Sequence, residues 1–293
     1  MTDLAAAGPV IAPPLEDTSA DGLRAAIEAD SIGTRVASGD LPNEPHLDAD
    51  ASWAVGGPMD PYANTVASAR FDAETADRRI AEIVAAYDAV PTPFLWWRAP
   101  FHTPDDLEAR LVRAGIYPVG ESPAMALDLG TLGPTPATPA GLELRGVTDE
   151  EGLRAYIDVL AAEPPVAGAP PMFSPDKVAR MVEHVVPRLA GEPAPLRMVG
   201  FLDGRPVATA RLSLAGGAAG IYSVATLPAA RGRGIGASVT FACLATGRDL
   251  GYRIATLQST DMGFGIYGRF GFVEQFRYAI HVHVPDGVSF DIG

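Results

Sequence analysis

The sequence predicts an α+β (mixed α/β) fold, in which a central mixed β-sheet is flanked by helices in each half of the chain. Three observations lead to this prediction. Short apolar runs typical of strands alternate with segments whose apolar residues recur at helical spacing. Residues 129–141, rich in Gly, Pro and Thr, separate two parts of similar length. Both parts also end alike: residues 111–127 resemble residues 267–282, and each passes from a helix through glycine into a strand.

The length of 293 residues suits two domains better than one. We expect a flexible N-terminal arm over residues 1–19, which are rich in Ala, Pro and Thr, and a first domain over residues 20–130. A linker is expected over residues 131–141, followed by a second domain over residues 142–293.

In the first domain, polar residues ahead of apolar segments predict where helices begin. Asp72 is expected to cap one helix, and Thr103, with Pro104 in the first helical position, is expected to open another. The predicted helices are 20–30, 73–88 and the one that begins after Thr103, and the predicted strands are 64–71, 93–98 and 116–128, with short strands within 31–63.

The second domain is predicted to follow the order β-α-α-β-β-β-α-β-α-β. Thr148 and Glu151 have the spacing of a capping box for its first helix, and Ser174-Pro175 opens the second. Asp203-Gly204 predicts a hairpin between two strands. The predicted strands are 142–147, 196–202, 206–214, 219–227, 253–259 and a final strand region after residue 271, and a glycine-rich turn leads from 219–227 into a helix that ends near residue 250.

Charge is distributed unevenly along the chain. The formal net charge is −14, which argues against nucleic acid or an anionic membrane as a partner. Residues 1–140 hold 21 acids and 8 bases, whereas residues 141–293 hold 15 acids and 14 bases. The nearly neutral second half therefore suits an anionic cofactor, and the acidic first half mildly favours a small cationic substrate.

Other features point to an ordinary cytoplasmic protein. No apolar run approaches the roughly 18 residues that cross a bilayer, and no secretory signal pattern begins the chain. The single cysteine, Cys243, allows no intramolecular disulfide. His281 and His283 share one face of a strand, but further ligands are not evident, so we expect no metal. Motifs for nucleophilic catalysis are also absent from the sequence.

The segment from Val224 to Gly236 carries the most chemistry. A buried strand runs into a loop with three glycines that opens directly into a helix. Such a loop directs several backbone N–H groups and the positive end of the helix dipole at one point, and Arg231 and Arg233 add charge. The pattern predicts an anion site for a pyrophosphate. It lacks the Lys-Ser/Thr ending of a nucleoside-triphosphate loop and the spacing of a dinucleotide fingerprint.

Arg231-x-x-Gly234-x-Gly236 resembles the Q/R-x-x-G-x-G/A signature of the GNAT acetyltransferase superfamily. Downstream, Tyr267-Gly-Arg-Phe-Gly271-Phe resembles that family's helix ending in Tyr-x-x-x-Gly-Phe. The resemblance is strong over residues 195–283, extends from 141, and is only architectural over 20–128. The chain is thus identified as similar to tandem GNAT proteins. Its N-terminal copy is degenerate, because the corresponding segment, SARFDAET at residues 68–75, has no glycine to form a pyrophosphate-binding loop.

The resemblance implies a site for acetyl-CoA as co-substrate. The pyrophosphate would be bound by backbone N–H groups of Arg231, Gly232, Arg233, Gly234, Ile235 and Gly236. The pantetheine would pair with Val224, Ala225 and Thr226, one of whose N–H groups would polarise the thioester carbonyl. Ser259 would contact the cofactor arm, and Tyr267 would protonate the leaving thiolate. The general base stays open between Glu163, Glu274 and water.

The resulting expectation is an N-acetyltransferase that transfers acetyl from acetyl-CoA to a small-molecule amine by direct attack, with a homodimer possible. The main alternative is a catalytically silent acyl-CoA-binding or regulatory protein of the same fold. A further alternative is an acetyltransferase whose N-terminal half senses a ligand.

Overall fold

The computed structural model describes residues 10–37, 39–57, 61–90, 92–162 and 173–285. The helices are α1 (Ala20–Ile32), α2 (Ala76–Asp88), α3 (Leu107–Arg113), α4 (Glu150–Ala161), α5 (Pro175–Leu189), α6 (Ile235–Asp249) and α7 (Asp261–Phe270). The strands are β1 (Glu44–Leu47), β2 (Ala51–Val55), β3 (Thr65–Ala69), β4 (Phe94–Arg98), β5 (Ile116–Asp128), β6 (Leu142–Gly146), β7 (Arg197–Leu202), β8 (Arg205–Ser213), β9 (Ala219–Thr226), β10 (Ile254–Gln258) and β11 (Val273–His283). The predicted mixed fold with a central sheet and flanking helices is confirmed.

All of these strands form one mixed sheet, in the order β1-β2-β3-β4-β11-β5-β10-β9-β8-β7-β6. The two halves of the chain exchange their last strands. β11, from the C-terminal half, pairs with β4, and β5, from the N-terminal half, pairs with β10. β5 and β11 pair with each other along most of their length. The sheet therefore runs without a break through both halves.

The predicted similarity between residues 111–127 and 267–282 appears in the structure as two matching helix–strand units. α3 leads into β5 through Gly115, and α7 leads into β11 through Gly271. Both glycines have left-handed backbones, with φ of 77° and 98°. Only glycine adopts such a conformation without a steric penalty, so the same residue ends both helices.

Two local predictions in the C-terminal half are confirmed. Ser174 caps α5 by accepting a hydrogen bond from the Lys177 N–H at 3.2 Å, with Pro175 in the first helical turn. Asp203 and Gly204, with φ of 50° and 79°, form the turn between β7 and β8. Paired positive φ angles match the right-handed twist of a two-stranded hairpin.

Three predicted helix caps are wrong. Thr75, not Asp72, is the N-cap of α2, because the Asp72 carbonyl already accepts from the N–H groups of Thr75 and Ala76. Helix α3 begins at Leu107, because Thr103 instead bridges to Arg70 at the edge of β3.

For α4, the Asp149 carboxylate accepts from the Gly152 N–H at 2.8 Å, so Asp149 displaces the predicted Thr148–Glu151 capping box. A carboxylate at the N-cap also interacts favourably with the helix dipole.

The described part of the N-terminal arm contacts the C-terminal half. The N–H groups of Ala12 and Leu15 donate to the carbonyls of Leu214 and Gly217 at 2.9 and 2.8 Å. The Tyr252 hydroxyl donates to the Ala12 carbonyl at 2.7 Å. α1 then crosses the middle of the sheet and contacts β3, β5, β10 and β11.

No helix within the described ranges is long and apolar enough to span a bilayer.

Candidate functional site

The central feature of the site is a gap between two parallel strands. β9 and β10 pair only through Ala219↔Ala255 and Gly220↔Thr256. Beyond Gly220, no strand in the described part of the chain pairs with the β10 side of β9, so the backbone groups of this edge face a cleft. The cleft has a volume of about 930 Å³ and its wall includes Val224, Ala225 and Thr226. An extended ligand can therefore pair with β9 as an added strand.

A β-bulge reshapes β9 where it enters the cleft. The register with β8 shifts between Thr209↔Ala225 and Arg211↔Tyr222, so that Ser223 and Val224 together oppose Ala210. Ser223 has φ of 49°, in the left-handed region, and its carbonyl accepts from the Thr209 hydroxyl at 2.9 Å. A bulge interrupts the ladder and redirects backbone groups, here beside the open edge of β9.

Beyond β9, the glycine loop forms a cradle for an anion. Gly232 and Gly234 have φ of 73° and 79°, and Gly234 is the N-cap of α6 without a side-chain cap bond. A Cβ atom added at Gly232 would meet nothing within 4 Å, so the space beside the backbone is open. The first N–H groups of α6 have no partners within the helix, and they lie at the positive end of its dipole. This arrangement fits a phosphate.

The predicted residues of this loop do not all line the cleft. Arg231, Gly232, Gly234, Ile235 and Gly236 do, whereas Arg233 lies exposed outside the cleft wall. The Arg231 Nε–H donates to the Thr226 carbonyl at 2.9 Å, so this side chain folds back over the end of β9.

Tyr267 lies on α7 and lines the same cleft as Val224, Ala225 and Thr226 of β9. Its ring packs edge-on against Phe272 at a centroid distance of 6.1 Å. Burial raises the pKa of Tyr267 to about 12, so the phenol is protonated at neutral pH. A Cβ atom added at Gly263 would lie 2.8 Å from the Tyr267 ring, so the glycine makes room for it.

Ser259 lies beside the cleft wall and not on it. Its N–H donates to the Pro123 carbonyl at 2.9 Å, and its hydroxyl donates to the Thr260 carbonyl at 2.7 Å. The first of these bonds joins the end of β10 to β5. Contact with a cofactor stays a prediction for this residue.

Neither of the two carboxylates predicted as a base is found on the described part of the cleft wall. Glu163 lies outside the described residues. Glu274 forms an ion pair with Arg277 at 2.9 Å and lies away from the cleft wall. The predicted histidine pair does not form part of the site either, because His283 hydrogen-bonds the Gly115 carbonyl at 3.0 Å and His281 is buried. Within the described ranges, no three His, Cys, Asp or Glu side chains group as metal ligands.

The N-terminal half supplies one wall of the cleft, through residues that the sequence did not single out. Its contribution comes from the π-helical turn Gly33–Ala37 after α1 and from the segments that follow. The N-terminal residues on the wall are Thr34, Arg35, Gly39, Asp40, Leu41, Asn43, Tyr62 and Ala63. No local signal marks these residues, because each reaches the site only through the packing of one half on the other.

A buried carboxylate, Asp30, lies beneath the gap between β9 and β10. It accepts from the hydroxyls of Tyr222, Thr256 and Thr34 at 2.6, 2.7 and 3.1 Å. Burial raises the pKa of Asp30 to about 6, since its partners are neutral hydroxyls and not cations at contact distance. The residue opposite it on β9 is Gly220, where a Cβ atom would collide with the carboxylate.

A second buried cluster contributes Asp40 and Arg211 to the cleft wall. Arg197 donates to Asp40 at 2.6 Å and to Glu192 at 2.8 Å, and Arg211 lies 3.7 Å from Asp40. Although burial alone raises the pKa of Asp40, the guanidinium groups of Arg211 and Arg197 hold it well below its usual range. Asp40 thus stays ionised and paired.

Comparison with known proteins agrees with this geometry. Residues 158–272 match the model of the acetyltransferase (GNAT) family. A GCN5-related N-acetyltransferase from Kribbella flavida aligns with 91% of this chain and 95% of its own, at 21% identity and a TM-score of 0.63. A GCN5-related N-acetyltransferase from Sphaerobacter thermophilus aligns over 84% of each chain, at 19% identity and a TM-score of 0.60.

A tandem GNAT protein from the clavulanic acid biosynthesis pathway aligns with 94% of this chain and 99% of its own, at 14% identity and a TM-score of 0.58. No curated protein matches the sequence significantly. The structural matches extend through the N-terminal region, which is also GNAT-like. Residues 158–272 of the chain are therefore similar to the GNAT acetyltransferase family, and the fold along both halves is that of GNAT proteins.

Proposed function

We propose that this protein transfers an acetyl group from acetyl-CoA to the amine of a small molecule by direct attack. One observation carries the proposal: the open edge of β9 leads directly into the cradle at Gly232, Gly234 and the N-terminus of α6. The edge suits an extended pantetheine arm, and the cradle suits a pyrophosphate.

Different residues along the cleft bind different parts of acetyl-CoA. Backbone N–H groups from Gly232 to Gly236 bind and orient the pyrophosphate. Val224, Ala225 and Thr226 pair with the pantetheine, and an N–H beside the Ser223 bulge polarises the thioester carbonyl. Bound acetyl-CoA supplies the activated acyl group. The acceptor amine must be neutral to attack, and its proton leaves to water or to a base that stays unassigned.

Tyr267 holds the proton that the reaction needs at sulfur. As the C–N bond forms, the C–S bond breaks and the electron pair moves to the thiolate, which takes the phenolic proton. With a pKa of about 12, the phenol remains fully protonated through the working pH range. The phenolate is then reprotonated from solvent.

Binding is tested by the effect of acetyl-CoA on thermal unfolding. At 100 times its Kd, acetyl-CoA should add about 2.7 kcal/mol to the free energy of unfolding. Gly234→Asp should abolish the increase, because it places a carboxylate where a phosphate binds. Gly251→Asp is the matched control, since Gly251 has a similar φ of 90° at the far end of α6. A missing increase for the wild-type protein, or an equal loss in both variants, would refute the cradle.

Turnover separates the enzyme from a silent acyl-CoA-binding protein. We expect Tyr267→Phe to lower kcat by about 100-fold, in the range of general acid catalysis, while acetyl-CoA still raises the unfolding temperature. Release of free thiol with a panel of amines measures this. If the wild-type protein binds acetyl-CoA but releases no thiol with any amine, the silent alternative is correct.

A further inference from the structure

Arg35 is a largely buried cation on the wall of the cleft. It lies on the π-helical turn that follows α1, an irregular turn of the kind that often occurs at functional sites. Its guanidinium carbon is 3.6 Å from the centre of the Trp97 ring, and Nη2 donates to Gln258 Oε1 at 2.9 Å. The Nε–H is buried and meets no hydrogen-bond partner within the described residues. The planar group is therefore held in place while some of its donors remain unused.

Arg35 differs from the other buried arginines in having no carboxylate. Arg197 pairs with Asp40 and Glu192, and Arg211 lies 3.7 Å from Asp40. For Arg35, the described chain offers no carboxylate oxygen within 4.0 Å. Burial lowers the pKa of Arg35, which reports the loss of hydration without full compensation. The Asp30 carboxylate attracts Arg35 without contacting it, and this attraction offsets only part of the lost hydration. An anionic ligand at contact distance is therefore the partner that this position lacks.

The location of Arg35 assigns that anion to the acceptor. Its guanidinium carbon lies 6.0 Å from the ring of Tyr222, the residue directly before the Ser223–Val224 bulge. The phosphate cradle lies beyond the other end of this segment, after Thr226. An anion at Arg35 is thus next to the point of acyl transfer, whereas the pyrophosphate is bound at Gly232 and Gly234.

The surrounding charges also favour an anion. Arg211 and Lys177 line the cleft with Arg35, and among the described lining residues Asp40 is the one acid. The Asp40 carboxylate is already paired with Arg197 and lies 3.7 Å from Arg211. The local field at this wall therefore differs in sign from the net charge of the N-terminal half.

We propose that the acceptor carries a carboxylate as well as the amine, and that Arg35 binds this carboxylate. The inference rests on the proposed acetyl transfer and names its substrate class. A guanidinium stacked on an aromatic ring has its N–H groups fixed in one plane, and a carboxylate matches the geometry of such a fork. The small cationic amine suggested by the charge of the acidic half is replaced by an amino acid or a similar carboxylated amine.

The test compares matched acceptors with the intact protein. The series consists of glycine, β-alanine, 4-aminobutanoate and the common L-amino acids, each beside its carboxamide, with spermidine as a cationic comparator. We expect kcat/KM for the best carboxylate to exceed that of its amide by about 100-fold, the scale of a buried charge pair. Arg35→Gln should remove this preference, and Arg35→Lys should restore part of it.

Controls separate this inference from the proposed function and from misfolding. Arg248→Gln, on the exposed face of α6, should leave the preference unchanged. Acetyl-CoA should stabilise Arg35→Gln as much as the wild-type protein, which shows that fold and cradle are intact. If wild type acetylates amides or spermidine as well as carboxylates, or if no carboxylated amine in the series is acetylated, the inference is overturned. If acetyl-CoA does not bind at all, it is the proposed function that fails.

Discussion

The two halves of the molecule contain the same pair of diverging parallel strands, and only one pair is open. β3 and β4 pair through Thr65↔Leu95 and Val66↔Trp96, as β9 and β10 pair at two positions. Between β3 and β4 the chain itself fills the gap, because Thr103 bridges to Arg70 there. Between β9 and β10 the corresponding space is a cleft. The same backbone arrangement is thus filled in one half and lines an open cleft in the other.

The residues that follow each first strand explain the difference. After β9, Gly232 and Gly234 take left-handed conformations, and Gly232 leaves open space beside the backbone. After β3 comes Phe71, whose buried ring packs edge-on against Trp96 with a centroid distance of 6.3 Å. Bulky aromatic packing stabilises the N-terminal half but leaves no room for a phosphate.

Helix α1 places one carboxylate at the closed gap between β3 and β4 and another, two residues later, at the open gap between β9 and β10. Glu28 faces the closed gap and accepts from Ser68 and Arg70 at 2.8 and 2.7 Å, with His102 at 3.2 Å. Burial acts to raise the pKa of Glu28, but the hydrogen bonds from His102, Arg70 and Ser68 lower it to about 2. Asp30 faces the open gap with hydroxyl partners only, and its pKa rises to about 6. The identity of the partners decides the sign.

Separating the halves should have the largest effect. A fragment of residues 142–293 lacks β5, which lies between β10 and β11 in the sheet. We expect the fragment to show no cooperative thermal unfolding by circular dichroism, because both strands lose a partner along their length. Co-expression with residues 1–141 should restore a cooperative transition. A fragment that unfolds cooperatively on its own would mean that the two halves are independent and only adjacent.

Removing the paired carboxylate of the closed gap should have an intermediate effect. Glu28→Gln should lower the free energy of unfolding at pH 7 by about 3 kcal/mol, from the shift between 4.5 and about 2. Since the folded pKa is depressed, the wild-type advantage is present above about pH 4.5 and disappears as the pH falls towards 2. Urea unfolding at several pH values measures it. Glu143→Gln, at an exposed pair with Arg145, should change little. A pH-independent difference would refute this account.

Removing the carboxylate of the open gap should have the smallest effect and the opposite pH dependence. The raised pKa of Asp30 makes ionisation unfavourable in the folded state, so wild-type stability from this group falls as the pH rises from 3.8 through about 6. Asp30→Asn removes that decline. At pH 7 the free energy of unfolding should change by only about 1 kcal/mol. Removing the buried charge stabilises the fold, but the altered hydrogen bonds to Tyr222, Thr256 and Thr34 offset most of that gain. Parallel slopes for variant and wild type between pH 4 and 6 would contradict the prediction.

The turns, caps and strand bounds that the sequence predicted correctly depend on residues close together in the chain. Ser174-Pro175, Asp203-Gly204 and the glycine loop act within a few residues, so their turns and caps follow from residue type alone. The bounds of β5 were predictable for the same reason, because Gly115 ends the helix before it and the Gly- and Pro-rich segment ends the strand. The prediction of the N-cap residue was wrong where neighbouring polar residues compete for that position, as Thr148 and Asp149 do, because small differences in packing decide which of them caps the helix.

The sequence by itself determined the class of fold, the order of strands and helices, and the glycine loop at Gly232 and Gly234 that opens α6. Only the tertiary structure decided that β5 and β11 exchange between halves, that Thr103 closes one gap, and that Arg35 reaches the other. These features depend on contacts between residues more than a hundred positions apart or on which strand lies beside which. Periodicity and local propensity carry no information about either, because they act within one element, whereas burial and pairing are settled between elements.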